Sequence, residues 1–453
     1  MPTFTIENFG CRATQADAAS IENHLLTRGF LKAASHAAAD VIVLNTCTVT
    51  AAADSQARDS IRHIKRANPA AQIVVTGCYA QRAPEELAAL EGVSWVVGNS
   101  HQAEIPQLLE RTAALPSRPM AGAHELIPLS QLEIEPLSLA RGPAKILTGD
   151  IFAQTEVIVA PIANGDAERT RPTLKIQDGC NNRCSYCVIP FVRGGSRSLA
   201  PSRVFQEIRS LVNSGYKEIV LSGINLGSYG RDLTPRVELG ELLCSILEQT
   251  ALEQLRLSSI EPLDVTQDLI DLIASSDRLA QHFHMPLQSG SDRILRAMRR
   301  WYRAAHYARR VELIHERLPE AAIGADVIVG FPGETDEDFR ATCDFIAQSP
   351  FSYLHVFSFS ARPGTEAAKL SEEIPLPVIK QRARELRSLS AAKAAAFRAA
   401  QSGRVLRALT LHKQGAGWTE ALTGNYLKLR IPGLHPANQW IESAVTADVL
   451  PAI

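Results

Sequence analysis

The chain is 453 residues long, 45% hydrophobic and 21% charged, with a formal net charge of −1; length alone accommodates about two to four domains with substantial cores. This balance excludes binding of nucleic acid or membrane through global charge, so any anionic partner must meet local basic patches. No apolar run approaches the ~20 residues of a membrane span, and Met1-Pro-Thr-Phe-Thr-Ile lacks a basic region followed by a long apolar one; the reading is a cytoplasmic protein with no membrane partner, whose eight cysteines, two sets of three with Cys244 and Cys343 isolated, argue for metal ligation rather than disulfides.

Short β runs at Thr3–Asn8, Asp40–Asn45 and Gln72–Thr76 alternate with helical patterns at Gln15–Arg28 and Asp54–Asn68, which predicts a parallel α/β sheet. Each run leads at once into a cysteine: Gly10-Cys11, Asn45-Thr46-Cys47-Thr48 and Thr76-Gly77-Cys78-Tyr79. Ligands of open α/β sheets bind at the carboxyl ends of the strands, so Cys11, Cys47 and Cys78 are expected to meet there as a three-thiolate site. Ordinary packed strand-end cysteines are the alternative. Helices at Glu85–Leu90 and Gln102–Arg111 around a strand at Trp95–Val97 complete a domain over 1–115. Pro, Gly and short apolar runs then make 116–172 a linker that can add strands to either neighbour.

From Thr173 six apolar runs, at Leu174–Ile176, Glu218–Leu221, Leu255–Leu257, His282–Met285, Ile323–Val329 and Tyr353–Phe357, alternate with helices such as Val204–Ser214, Leu239–Gln249 and Asp292–Ala297. This predicts an incomplete parallel (β/α)6 barrel over 173–398, whose functional groups gather at the C-terminal strand ends. The turns there carry Ser222, Gly223 and Asn225, Glu261, Gln288 and Ser289, and Gly330–Glu334. The first strand leads into Cys180-x3-Cys184-x2-Cys187, a spacing that is neither a two-pair zinc pattern nor a ferredoxin run with a fourth cysteine nearby. Three thiolates on one loop leave one iron of a cubane open to a substrate. Beyond the barrel, Pro375–Arg404 reads as a long basic helix, and 399–453 as a small antiparallel β-barrel with strands at Val405–Leu411 and Tyr426–Ile431.

The Cys180–Cys187 loop resembles the cluster signature of the radical S-adenosylmethionine enzymes. Together with Gly10-Cys11, Asn45–Thr50, Thr76–Gln81 and the C-terminal unit, which resembles the RNA-binding TRAM domain, it is similar to the methylthiotransferase family over nearly the whole chain. Arg256–Pro262 and His355–Thr365 are most similar to the branch that converts N6-threonylcarbamoyladenosine in tRNA to its 2-methylthio derivative. The resemblance implies two [4Fe–4S] clusters: one on Cys180, Cys184 and Cys187, whose open iron chelates S-adenosylmethionine, and an auxiliary one on Cys11, Cys47 and Cys78 that carries the sulfur. One S-adenosylmethionine methylates that sulfur and a second yields the radical that activates carbon 2 of adenine, a C–H bond no amino-acid base can break.

The resemblance also implies that Tyr186 shapes the adenine pocket, that the turn Ser222-Gly223-Ile224-Asn225 approaches the methionine amino group, and that Gln288, Ser289 and the Gly330–Glu334 turn line the ribose and adenine. Glu261 is a candidate for the sulfonium or amine, or an anchor of its own loop. The implied partners are a tRNA anticodon stem-loop, an electron donor such as a flavodoxin or ferredoxin, and a sulfur donor. For RNA contact the candidates are the Arg- and aromatic-rich segment Arg293–Arg303 and the basic stripe Lys380–Arg407. The sequence departs from the family at Thr14, where Asn is more usual, and at Trp418–Tyr426, where the family turn is richer in glycine. Alternative substrates are isopentenyladenosine in tRNA or an aspartate of a ribosomal protein; a non-catalytic iron–sulfur or zinc RNA-binding protein is the alternative of another class.

Overall fold

The computed structural model describes residues 1–113, 144–157 and 170–450. The chain divides into two compact units, the first comprising Met1–Gln154 with Phe191–Arg193, the second Thr155–Pro190 with Gly194–Ile453.

In the first unit, strands β1 (Thr3–Asn8), β2 (Leu31–Lys32), β3 (Val41–Thr46), β4 (Gln72–Gly77), β5 (Val93–Gly98) and β6 (Lys145–Leu147) form one sheet in the order β2-β1-β3-β4-β5-β6. Every pairing is parallel. Helices α1 (Arg12–Thr27), α2 (Ala51–Ala67), α3 (Cys78–Arg82), α4 (Pro84–Ala88) and α5 (Ile105–Ala113) supply the crossovers. The central strand β3 is buried at every position, as its unbroken Val-Ile-Val-Leu run requires when both sheet faces are covered. Thr50 starts α2 by accepting from the Ala53 amide, a side-chain cap of an otherwise unsatisfied donor. Strand β6 comes from the stretch read as linker, so this unit extends beyond residue 115; of that stretch, residues 114–143 and 158–169 lie outside the described residues.

The second unit begins with β7 (Thr173–Lys175) and the short antiparallel pair β8 (Gln177–Asp178) and β9 (Arg197–Ser198); of the short helix α6 (Ile189–Arg193) between β8 and β9, Phe191–Arg193 belong to the first unit. Then come α7 (Pro201–Asn213), β10 (Glu218–Ser222), α8 (Leu239–Gln249), β11 (Gln254–Leu257), α9 (Gln267–Ser275), β12 (His282–His284), α10 (Asp292–Ala297), α11 (Ala304–Arg317), β13 (Ala322–Val329), α12 (Asp336–Gln348) and β14 (Tyr353–Ser358). The barrel strands pair in parallel as β11-β10-β7 and β12-β13-β14, and single bridges at Leu255–Leu279 and Ser259–His284 join the halves. The predicted six-strand open barrel is the observed one. Its core, from Leu174 and Ile176 to Leu354, is continuous with Ala383 and Leu386 of helix α13 (Leu376–Ala400).

Strands β15 (Val405–Gly415), β16 (Trp418–Thr423), β17 (Lys428–Pro432) and β18 (Trp440–Ala444) close the chain as an antiparallel sheet in the order β17-β16-β15-β18. The expected C-terminal barrel is thus a curved four-stranded half-barrel, with a bulge between Thr410 and Gln414 of β15. Trp418–Thr423, taken in sequence for part of a turn, is the inner strand β16: its residues from Thr419 onward are all buried. The last residues assigned to this unit, 451–453, lie outside the described ones.

Candidate active site

In the first unit β1, β3 and β4 are neighbours, with Asn8 opposite Asn45 and Thr46 opposite Gly77. Cys11, Cys47 and Cys78 follow those strand ends and converge. A Cβ on Gly10 would stand 2.6 Å from Cys47 Cβ and 3.0 Å from its Sγ; one on Gly77 would stand 2.4 Å from the Thr46 carbonyl oxygen. Both glycines have positive φ, +105° and +96°, so the close approach and the backbone each call for glycine.

Thr14 builds the first turn: its hydroxyl donates to the carbonyls of Cys11 (2.7 Å) and Phe9 (3.0 Å). The Asn45 side chain donates from Nδ2 to the Thr14 carbonyl (2.7 Å) and to Asn8 Oδ1 (3.0 Å).

Cys11 is exposed, whereas Cys47 and Cys78 are buried. Burial first, then the proximity of Cys78 and Cys11, pushes the Cys47 thiol up to about 12; burial likewise raises Cys78, against the pull of Arg193. Arg193 is buried, pairs with Asp17 at 2.7 Å and donates from Nε to Cys78 Sγ at 3.3 Å. Asn99 donates from Nδ2 to the Val192 carbonyl at 2.8 Å, with Cys78 Sγ 3.6 Å away, and its Oδ1 is buried without a partner. The pocket is therefore three converging thiols with a guanidinium and an amide beside one sulfur, a donor set that stabilises thiolate on binding metal.

In the second unit the other triplet is built on β8. Asp178 Oδ1 accepts from the Gly179 amide (2.8 Å) while its Oδ2 pairs with buried Lys175 (2.8 Å) and Arg197 (3.4 Å). Gly179, φ +69°, passes so close to Gly195 that a Cβ would lie 1.9 Å from its carbonyl oxygen. The loop then turns through Cys180, whose amide donates to the Gly194 carbonyl (3.1 Å), and Cys187, whose amide donates to the Cys184 carbonyl (3.1 Å). Burial and the neighbouring Cys184 push the Cys187 thiol up to about 12, and burial raises Cys180. All eight cysteines are free thiols.

Arg300 donates to Cys184 Sγ (3.2 Å) and pairs with Glu261. Glu261, left in sequence between ligand and loop anchor, thus fixes the guanidinium beside a cluster-loop thiol; burial raises its carboxyl, against the pull of Arg300.

The other sequence candidates occupy strand ends of this same barrel. Tyr186 packs against Ile294, Met298, Phe331 and Ala367. Ser222, buried at the end of β10, accepts the Ile176 amide at its carbonyl (2.9 Å). Gly223 leaves room for Gln177, whose Oε1 takes the Asn225 amide (2.8 Å). Asn225 Oδ1 and Ser258 Oγ are buried without partners. Gln288 sits at φ 65°, its main chain bonded to Asp326 (2.8 Å) and Ile328 (2.9 Å). The Ser289 hydroxyl is used locally, accepting from the Ser291 amide (3.1 Å) beside Thr342 (3.2 Å). The Gly330–Glu334 turn is pinned by Arg382 on Glu334 (2.6 Å).

Sequence reading missed Gln177, Arg193, Asn99 and Asp17, polar residues on apolar runs or past the cysteines that carry no motif of their own. Arg300 had a signal, its place in the Arg-rich segment, but was read there as an RNA contact.

Residues 3–98 match the family described as Uncharacterized protein family UPF0004 and residues 174–346 match the Radical SAM superfamily. The chain is 38% identical to threonylcarbamoyladenosine tRNA methylthiotransferase MtaB of Aquifex aeolicus, over 94% of this chain and 96% of that one. It is 36% identical to the protein of that name from Bacillus subtilis, over 86% and 80%. To tRNA-2-methylthio-N(6)-dimethylallyladenosine synthase of Paenarthrobacter aurescens it is 34% identical, over 93% and 77%. Among solved structures, the radical S-adenosylmethionine methyltransferase TsrM from Kitasatospora setae shares the fold, with a TM-score of 0.56 at 17% identity over 81% of this chain and 77% of that one. With both halves matched and relatives similar almost end to end, the chain belongs to the radical S-adenosylmethionine methylthiotransferase family.

Proposed function

We propose that this protein converts N6-threonylcarbamoyladenosine beside the tRNA anticodon to 2-methylthio-N6-threonylcarbamoyladenosine, in the cytoplasm. The observation that carries the reading is the pair of three-thiol sites on this fold, together with the near full-length similarity to relatives that bear that name. The residues present fit a [4Fe–4S] cluster on each triplet: three free thiols, no fourth protein sulfur in either motif, and unpartnered polar atoms on Asn99, Asn225 and Ser258. Cys180, Cys184 and Cys187 would hold the cluster that binds S-adenosylmethionine, and Cys11, Cys47 and Cys78 the auxiliary one; when bound, these groups supply one-electron and sulfur chemistry that no side chain can. An electron donor such as a flavodoxin or ferredoxin and a sulfur donor complete the system.

This chain's own residues hold and orient. Arg193 and Arg300 each direct a guanidinium donor at one cysteine sulfur; hydrogen bonds to the sulfurs tune the redox potential of such a centre. Asn225 Oδ1 and Ser258 Oγ at the strand ends are free to take the amino group of S-adenosylmethionine, while Tyr186 offers an aromatic face for its adenine.

The tRNA reading is supported by a basic pocket of 610 Å³ lined by Arg183, Arg296, Arg299, Trp301, Arg303 and His306, among others. Trp301 is 72% exposed, an aromatic face beside cations, the combination that stacks a base and tracks a backbone. Arg183→Glu with Arg296→Glu is expected to weaken tRNA binding about 10-fold or more and to flatten its salt dependence by about two phosphate contacts. Filter binding at several salt concentrations measures both, and an unchanged salt slope would remove this pocket from the interface.

The basic stripe Lys380–Arg407 contributes less than its sequence promised. Arg382 is buried on Glu334 and Asp336, Lys393 caps the carbonyls of Ala347 and Ser349, and Arg404 and Arg407 pair with Glu320 and Glu253. Lys380, Arg384 and Arg387, spaced along one exposed face of α13, keep the ability to meet phosphate.

Mass spectrometry of tRNA nucleosides from cells with and without the gene tests the substrate. Loss of 2-methylthio-N6-threonylcarbamoyladenosine is expected; loss of the isopentenyl derivative, or no change in tRNA, would replace this reading.

A further inference from the structure

Three barrel strands bring together a second kind of donor set, one without a cysteine. His284 ends β12, Asp326 lies within β13 and His355 within β14; Asp326 and His355 are direct cross-strand partners, and His284 stands opposite Gly324. His284 Nε2 lies 3.0 Å and His355 Nδ1 3.2 Å from the same oxygen, Asp326 Oδ1, and all the ligand atoms fall within 4.8 Å of one another. Donors bound at ~2.1 Å and at right angles around one ion are ~3.0 Å apart.

The cluster is also oriented from behind. The Tyr353 hydroxyl bridges His284 Nδ1 (3.0 Å) and His282 Nε2 (2.8 Å), which fixes the His284 ring and leaves Nε2 for a ligand. Gly324 makes room for this: a Cβ there would stand 2.1 Å from the Tyr353 ring. His282 is itself stacked on Tyr426, ring centroids 4.3 Å apart. Burial would raise the Asp326 carboxyl, but hydrogen bonds from His284 and His355 outweigh it and hold the group well below the usual carboxylate range. The three side chains grade outward from 11% exposed at His284 through 25% at Asp326 to 55% at His355, so solvent or an oxygen ligand reaches the outer side.

We infer that His284, Asp326 and His355 form a binding site for one divalent transition-metal cation of borderline character, such as Fe(II), Co(II) or Zn(II), with coordination positions left open. Two imidazoles and one carboxylate on one face make the facial arrangement that such ions accept, and Tyr353 plays the orienting part that ligating histidines require. The bound tautomers are His284 with its proton on Nδ1, toward Tyr353, and His355 with its proton on Nε2; each imidazole is neutral, so any imidazolium proton leaves as the ion binds. No electron transfer is involved.

Titration with Co(II) of the full-chain protein, anaerobically reconstituted and in its oxidised, EPR-silent cluster state, tests the site. One equivalent of high-spin Co(II), counted by its EPR signal, with no new sulfur-to-cobalt charge-transfer band in the difference spectrum, is expected. Sulfur bands instead would report capture by cysteines, which overturns this site and also marks a failure of cluster loading. His355→Ala and Asp326→Asn are each expected to weaken binding by at least about 100-fold, and Tyr353→Phe by about 10-fold. Because His355 is more than half exposed, its variant should melt like the metal-free wild type while losing the stabilisation that Co(II) gives the wild type. No binding, or binding unchanged in both ligand variants, overturns the inference and leaves a hydrogen-bonded triad.

Discussion

Changing Cys11, Cys47 and Cys78 together to Ala is expected to remove half the iron and acid-labile sulfide from the reconstituted protein and to abolish methylthio transfer, while reduced protein still cleaves S-adenosylmethionine to 5′-deoxyadenosine. The split follows from where the thiols are. These three meet at the ends of β1, β3 and β4 in the first unit, whereas Cys180, Cys184 and Cys187 share one loop of the second. Each set is built within its own unit, so each should load separately. The reciprocal replacement of Cys180, Cys184 and Cys187 should leave the other half of the iron and lose both cleavage and transfer. Iron unchanged in the first variant would show that Cys11, Cys47 and Cys78 hold no cluster. Loss of all iron in either variant would show that the two sites assemble as one.

How much of this was legible follows from the range over which each interaction acts. Period and turn chemistry are local, so Thr3–Asn8, Leu239–Gln249 and Asp292–Ala297 were read with their observed bounds, and six strands ending in polar turns announced an open barrel. The cysteines were legible because parallel strands bring their carboxyl ends together whatever the intervening helices are. Side-chain pairing across the fold was not. Nothing local tells that Arg300 serves Glu261 and Cys184 rather than a phosphate, or that Arg382 is buried on Glu334 rather than displayed on a basic helix. Trp418–Thr423 misled for a related reason: its Thr and Glu look like turn residues, yet Thr419, Glu420 and Thr423 are buried in the sheet, where Thr419 and Thr423 bond main-chain groups. His284, Asp326 and His355, far apart in sequence, became a cluster only through strand register.

Arg256 gives the largest expected effect on stability. Its guanidinium and the Glu218 carboxylate are both fully buried and 2.7 Å apart; the other two nitrogens donate to the carbonyls of Gly424 (2.9 Å) and Thr423 (3.0 Å), at the end of β16. The side chain also lies against Tyr426, 5.4 Å from its ring centroid. One residue therefore satisfies a buried carboxylate on β10 and ties the C-terminal sheet to the barrel wall. Breaking a buried pair from one side costs about 3–5 kcal/mol, because the remaining charge stays in a poor solvent. Arg171 also approaches Glu218, at 3.3 Å, and retains part of its compensation. Arg256→Met is accordingly expected to lose about 3 kcal/mol, measured as a lower urea midpoint, and to expose the segment after Thr423 to proteolysis before the barrel unfolds. Adding Glu218→Leu should recover part of that loss, since the uncompensated carboxylate is gone, while Arg171 loses its partner and the two carbonyls still lack their donor. A double variant as unstable as the sum of the singles would mean that the carbonyl tether, and not the ion pair, is what Arg256 contributes.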